Sequence, residues 1–221
     1  GLVACARIAV RISGVMIMST MLIVGEDGSV QRDATETEVA HAWRNEGQIV
    51  WIDLVQPVSL ESQQFLTEVF DFNEGAIEHV TRPHLGPRAV RFRSYMLVVI
   101  YDVTLPAAAD EVQKDELVLL VGDRFLVSIH NPETQQFAQL SKNLERSLSR
   151  YGVEIGAVAF TVLESIAVHY PLMVEEVRLR VDALEERVLN REEPEGITDL
   201  YQLRRELTAL RRVIAPEEAL I

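Results

Sequence analysis

Two stretches of the chain repeat apolar residues at alternating steps of three and four. They are Val174, Val177, Val181, Leu184 and Val188, then Leu200, Leu203, Leu207, Leu210 and Ile214. A mean step of 3.5 residues holds one apolar seam along a single side of an α-helix, and such a seam is stable only against another helix. Residues 190–196 between them (NREEPEG) hold the Pro and Gly expected of a helix–helix turn. Two long antiparallel helices zipped along this seam are expected, with about 0.8 kcal/mol per methylene buried there. The other faces carry Glu175, Arg178, Asp182, Glu185 and Glu186, and Arg204, Arg205, Arg211 and Arg212. These read as solvated helix faces, so the hairpin should project from the rest of the chain as an arm.

The preceding residues alternate between the two periods of secondary structure. Residues 20–25 and 29–31 flank Glu26-Asp27-Gly28 and read as a β-hairpin. Thr35 and Glu38 form a capping-box pattern at the head of a helix that should reach residues 45–46, before Gly47. Residues 48–55 (QIVWIDLV) read as a strand buried on both faces and stopped by Pro57. Ser59, Ser62 and Gln63 open a helix with Leu60, Phe65, Leu66, Val69 and Phe70 on one side, and a shorter helix spans residues 73–81. Residues 84–93 read as a loop with a basic excess of Arg88, Arg91 and Arg93. Strands at 95–103, 116–121 and 124–130 have the spacing of an antiparallel meander, and a helix after Pro132 continues to about Arg150. The fold class is therefore α/β: a mixed sheet flanked by helices in α/β/α layers, followed by a long antiparallel helical hairpin. The expected divisions are a mixed-sheet domain over 18–152 and the helical arm over 153–221.

Residues 2–24 are largely apolar, but Arg7 and Arg11 interrupt them. Each Arg at the centre of a spanning helix costs about 2.5–3.5 kcal/mol. The uncharged remainder is shorter than the roughly 20 residues a bilayer requires. Residues 1–17 are read as an extension ahead of a natural start at Met18 or Met21, without function, and no later segment is expected to span a membrane. The formal net charge of −13 disfavours a phosphate-binding face, so no nucleic-acid partner is expected. The single cysteine, Cys5, excludes an intramolecular disulfide framework and a thiolate zinc cage.

No arrangement for catalysis emerges. Neither GxGxxG, GxxxxGK[ST] nor HExxH occurs. Glu78 and His79 with His84 resemble a metal-ligand group, but Pro83 between them marks a helix end with solvated histidines. Ser128 and His130 fall on one strand face, which allows a nucleophile–base pair only with an orienting carboxylate; they are read instead as edge-strand polar residues. Asp102, Asp110, Asp115, Glu111 and Glu116 crowd one interstrand linker and could hold magnesium weakly through carboxylate oxygens. The plainer reading is a solvated loop in an acidic protein. The three arginines of 88–93 read as partners for the surplus of carboxylates.

The order of segments resembles the CorA-type magnesium and divalent-cation transporter family. The resemblance is carried by Val50-Trp51-Ile52-Asp53-Leu54 followed by Pro57, and by Phe70 through Glu78 leading to Gly86-Pro87-Arg88. The Tyr95 strand, Glu116-Leu117-Val118-Leu119 and Phe125 through His130 continue it in register. His169-Tyr170-Pro171 and Asp182 through Leu189 are similar to the family's first arm helix. Leu203 through Leu207 with Leu210-Arg211-Arg212 are similar to its second. The resemblance runs from about residue 20 onward.

It implies a homo-pentameric divalent-cation transporter at the inner (plasma) membrane, with a cytoplasmic funnel of α/β domains and a stalk leading into two membrane helices. It further implies a Gly-Met-Asn pore signature and weakly bound regulatory magnesium between domains. On this reading the chain is the soluble cytoplasmic regulatory domain of a magnesium/cobalt transporter, not an enzyme. Its missing partners would be its own stalk and membrane helices. Where relatives carry an acidic regulatory ligand this chain has Pro106, with Asp102 and Asp110 off position, so no metal ligand is carried over and the metal site is unknown. The alternative is a stand-alone scaffold whose hairpin docks on a partner helix.

Overall fold

A computed structural model describes residues 9–12, 15–18, 20–81, 86–104, 112–131, 137–189 and 196–218. Its centre is a seven-stranded mixed sheet. In chain order the sheet strands are β3 (Thr20–Val24), β4 (Val30–Gln31), β5 (Ile49–Val55), β6 (Arg88–Arg91), β7 (Tyr95–Thr104), β8 (Gln113–Gly122) and β9 (Phe125–His130). They lie in the order β4-β3-β5-β9-β8-β7-β6. Only β5 and β9 run parallel, with Asp53 opposite Ser128 and Val55 opposite His130; every other neighbouring pair is antiparallel. Ahead of the sheet, β1 (Ala9–Ile12) and β2 (Val15–Met18) form a separate antiparallel pair that begins within residues 1–17, read as an extension, and ends at Met18.

Helices cover both faces. On one side α1 (Glu36–Arg44), α2 (Leu60–Phe70) and α3 (Glu74–Thr81) bury Val39, Ala42, Leu66, Phe70, Ala76 and Val80 against Val50, Ile52, Val127 and Ile129. On the other, α4 (Phe137–Tyr151) and α5 (Ile155–Ala167) pack Leu140, Leu144, Val158 and Val162 against Trp51, Leu119 and Leu126. Thus α5, inside the stretch assigned to the arm, joins the second layer of the sheet body. The Thr35 hydroxyl accepts the Glu38 N–H at 3.3 Å while the Glu38 carboxylate accepts the Thr35 N–H at 2.8 Å, the reciprocal cap expected at the head of α1. Beyond its end, Gly47 at φ 93° takes a left-handed conformation that suits glycine.

The basic stretch 88–93 is not a loop. β6 pairs with β7, Arg88 opposite Val99, and Val90 and Phe92 pack on the core. The alternation Arg88-Ala89-Val90-Arg91 is an edge-strand pattern, in which charge discourages pairing with another chain. Among the described residues Arg91 and Arg93 form no ion pair, so they do not answer the surplus carboxylates. β8 also begins three residues earlier than expected, because its polar start pairs with β7 through Thr104 and Gln113.

The hairpin is formed by α6 (His169–Leu189) and α7 (Gly196–Glu218); the turn at residues 190–195 lies outside the described residues. Its seam is rotated from the expected one. Met173, Val177, Arg180 and Leu184 face Leu203, Glu206, Leu210 and Val213, whereas Val174, Leu200 and Leu207 are exposed. The base of the hairpin causes the difference. Met173, Leu210 and Val213 close over Val103 of β7, which turns the helices part of a step while Val177, Leu184, Leu203 and Leu210 of the repeat stay in the seam. The helical run Ile155–Arg187 is long and apolar enough by length and composition to cross a membrane, contrary to expectation. Its apolar part is α5, whose Ala157, Val158, Thr161, Val162 and Ile166 are buried in the fold.

Candidate functional site

β5 and β9 are adjacent parallel strands whose following helices go to opposite faces, α2 to one and α4 to the other. In open α/β sheets the crevice at the ends of such a strand pair is the usual place for function. Asp53, Ser128 and His130 sit here, on the α4/α5 face. The Trp51 indole N–H donates to Ser128 Oγ at 2.9 Å, and Ser128 Oγ donates to Asp53 Oδ1 at 2.5 Å. The other Asp53 oxygen lies 3.2 Å from His130 Nε2, and His130 Nδ1 lies 2.7 Å from the Asn131 carbonyl. Both ring nitrogens therefore face acceptors, which favours the imidazolium. Burial pushes the His130 pKa down, but the Asp53 carboxylate, the Asn131 carbonyl and the charge of Asp115 outweigh it and leave a raised pKa.

Ser128 and His130 are not edge residues. β9 is the central strand of the seven, and both side chains are buried. Nor do they form a nucleophile–base pair. A hydrolytic triad places His between Ser and the carboxylate. Here Asp53 stands between Ser128 and His130, and Ser128 is fully buried, so its oxygen reaches no substrate. The signal was a lone carboxylate in a strand read as buried on both faces, since such a group demands hydrogen-bond partners.

The polar file continues toward the arm. Asn131 Nδ2 donates to Asp115 Oδ1 at 3.1 Å, and Asp115 lies opposite Asp102 across β7 and β8. Asp102 Oδ1 lies 3.4 Å from His169 Nδ1 at the head of α6, and the Tyr170 hydroxyl donates to the Tyr101 carbonyl at 3.1 Å. The described members of the expected acidic cluster divide between the two faces of the sheet. Asp102 and Asp115 share one face, Glu116 sits on the other beside Tyr101, and Asp110 and Glu111 lie outside the described residues. Glu78 is exposed on α3 and His79 half-buried, while His84 lies outside the described residues. Among the described residues no group of three or more His, Cys, Asp or Glu side chains is placed to hold a metal ion.

A mixed-sheet body with a helical hairpin packed against β7 is a fold that solved structures share. The soluble domain of CorA from Methanocaldococcus jannaschii superposes with a TM-score of 0.64 at 14% identity, over 89% of this chain and 75% of that one. The full-length CmaX protein superposes at 0.71 with 19% identity, over 90% and 61%. Residues 46–221 match the sequence model of the family described as CorA-like Mg2+ transporter protein, and the chain belongs to that family. The cobalt/magnesium transport protein CorA of Thermotoga maritima is 21% identical over 184 residues, 82% of this chain and 52% of that protein. The chain thus spans about half the length of this curated relative.

Proposed function

We propose that the chain is the cytoplasmic regulatory part of a CorA-like transporter of magnesium and related divalent cations, with stalk and membrane helices supplied by sequence beyond Ile221. The observation that carries the reading is the family match over residues 46–221, which takes in the sheet body from β5 onward and the arm. The polar file supports a structural role for these three residues, because Ser128 and His130 both bond to Asp53 inside the fold. Divalent cations are the transported substrate, and the intact protein is a homo-pentamer. Regulation by magnesium is a population shift: ions held better between closed subunits favour that arrangement by no more than their differential affinity. The regulatory ion of this reading is weakly held, between copies of the chain.

The intact protein, expressed in cells lacking their own magnesium transporters, should fractionate with membranes and restore growth at low magnesium. A soluble protein that leaves growth unrestored would contradict the proposal.

A further inference from the structure

The exposed leucines of the hairpin lie on two faces of opposite charge. Leu172 and Leu179 of α6 are 67% and 51% exposed, one heptad apart, and Glu175, Asp182 and Glu186 surround them. Leu200 and Leu207 of α7 are 57% and 41% exposed, again one heptad apart, in a shallow groove with Arg204 and Arg211. Arg178 bonds to Glu175 and Asp182, which leaves the α6 face net acidic. Among the described residues Arg204 and Arg211 form no ion pair, in a protein of net charge −13.

At about 100° per residue, Leu172 and Leu179 are turned about 110° from the α6 seam row in one sense. Leu200 and Leu207 are turned about 100° from the α7 row in the other sense. In an antiparallel pair, offsets of opposite sense bring the two leucine pairs out on opposite sides of the hairpin.

We infer that the arms of neighbouring copies dock head to tail, the Leu200/Leu207 face of one hairpin against the Leu172/Leu179 face of the next. A heptad leucine pair matches a heptad leucine pair, and the arginines of one face meet the carboxylates of the other. Two different patches on opposite sides make a heterologous contact, which closes into a ring when the rotation allows. The inference deepens the homo-oligomer proposed above. Its test uses this chain alone and measures no flux, so the two readings fail separately.

In a Cys5→Ser background, single variants Leu179→Cys and Leu207→Cys are oxidised separately and as a mixture. The mixture should give the 179–207 dimer, and the chain carrying both cysteines should give a ladder. Arg204→Glu with Arg211→Glu on the Leu207→Cys copy should lower the mixed yield about fivefold, the effect of two exposed charge pairs. Asp182→Lys with Glu186→Lys on the other copy should restore it. Dimers as abundant in either single variant as in the mixture would overturn the proposal, as would a mixed yield unchanged by charge reversal. Circular dichroism confirms that these surface variants remain helical, so the absence of cross-linking in folded protein also overturns it.

Discussion

Glu206 of α7 accepts a hydrogen bond from Arg180 of α6 at 3.1 Å, inside a helix seam otherwise made of Met173, Val177, Leu184, Leu203, Leu210 and Val213. Glu206 is almost fully buried, while Arg180 is one-fifth exposed and also bonds to Glu176. A buried pair of this kind fixes register more than it adds stability. Glu206→Ala should destabilise the arm by about 1–3 kcal/mol, below the full cost of an orphaned buried charge because Arg180 keeps Glu176. Arg180→Met with Glu206→Leu should recover that loss. Urea unfolding of the three proteins checks both expectations.

His130 makes stability depend on pH. Its pKa is raised in the fold, where burial is outweighed by the Asp53 carboxylate, so the folded state binds the proton more tightly than the unfolded one. The stabilisation is complete below the ordinary histidine value of about 6.5 and is lost as pH rises through the folded value. The melting temperature of the wild type should therefore fall between pH 6 and pH 8 more than that of His130→Gln. Parallel melting curves across that range would remove His130 as the source.

Ser128 satisfies two buried groups at once, the Trp51 indole N–H and the Asp53 carboxylate. Ser128→Ala should cost about 1–3 kcal/mol, the penalty for leaving a buried polar group unpaired. Trp51 fluorescence should shift as its hydrogen bond is lost. The variant and the wild type should be equally inert toward generic ester and phosphate substrates.

Arg124 ties the end of α1 to the start of β5. It donates to the carbonyls of Trp43 at 2.9 Å, Asn45 at 2.7 Å and Gln48 at 3.2 Å, and lies 4.8 Å from the Trp43 ring centre. Arg124→Ala should cost about 2–3 kcal/mol, since hydrogen bonds from a charged donor are each worth about 1.5–3 kcal/mol and solvent reaches part of the site. Arg124→Lys should recover less than half, because an ammonium lacks the planar fork. Thermal unfolding of the two variants measures the difference.

The local signals that describe a single element read well from the sequence. Thr35 with Glu38 marks a helix start through the reciprocal side-chain cap, and residues 48–55 state their burial through a nearly all-apolar run rich in Ile and Val. Relationships between elements read less well. The alternation in Arg88–Arg91 was masked by its arginines, which look like a loop until an edge strand gives them a reason. The heptad residues fixed the existence of the hairpin but not its rotation. A 3-4 repeat supports two neighbouring seams, and contact with Val103 selects between them. Asp53, Ser128 and His130 are 75 or more residues apart in the case of Asp53 and its partners, and only the parallel pairing of β5 with β9 joins them.

Magnesium flux through the intact protein in liposomes, with the ion varied separately on the side bearing this domain, separates a regulatory domain from an inert one. Magnesium entry should decline as magnesium on the domain side rises from micromolar to millimolar. The decline should be lost when the α6–α7 arm is deleted from a protein that still conducts. Absence of flux, or flux indifferent to magnesium on the domain side, would contradict the regulatory role.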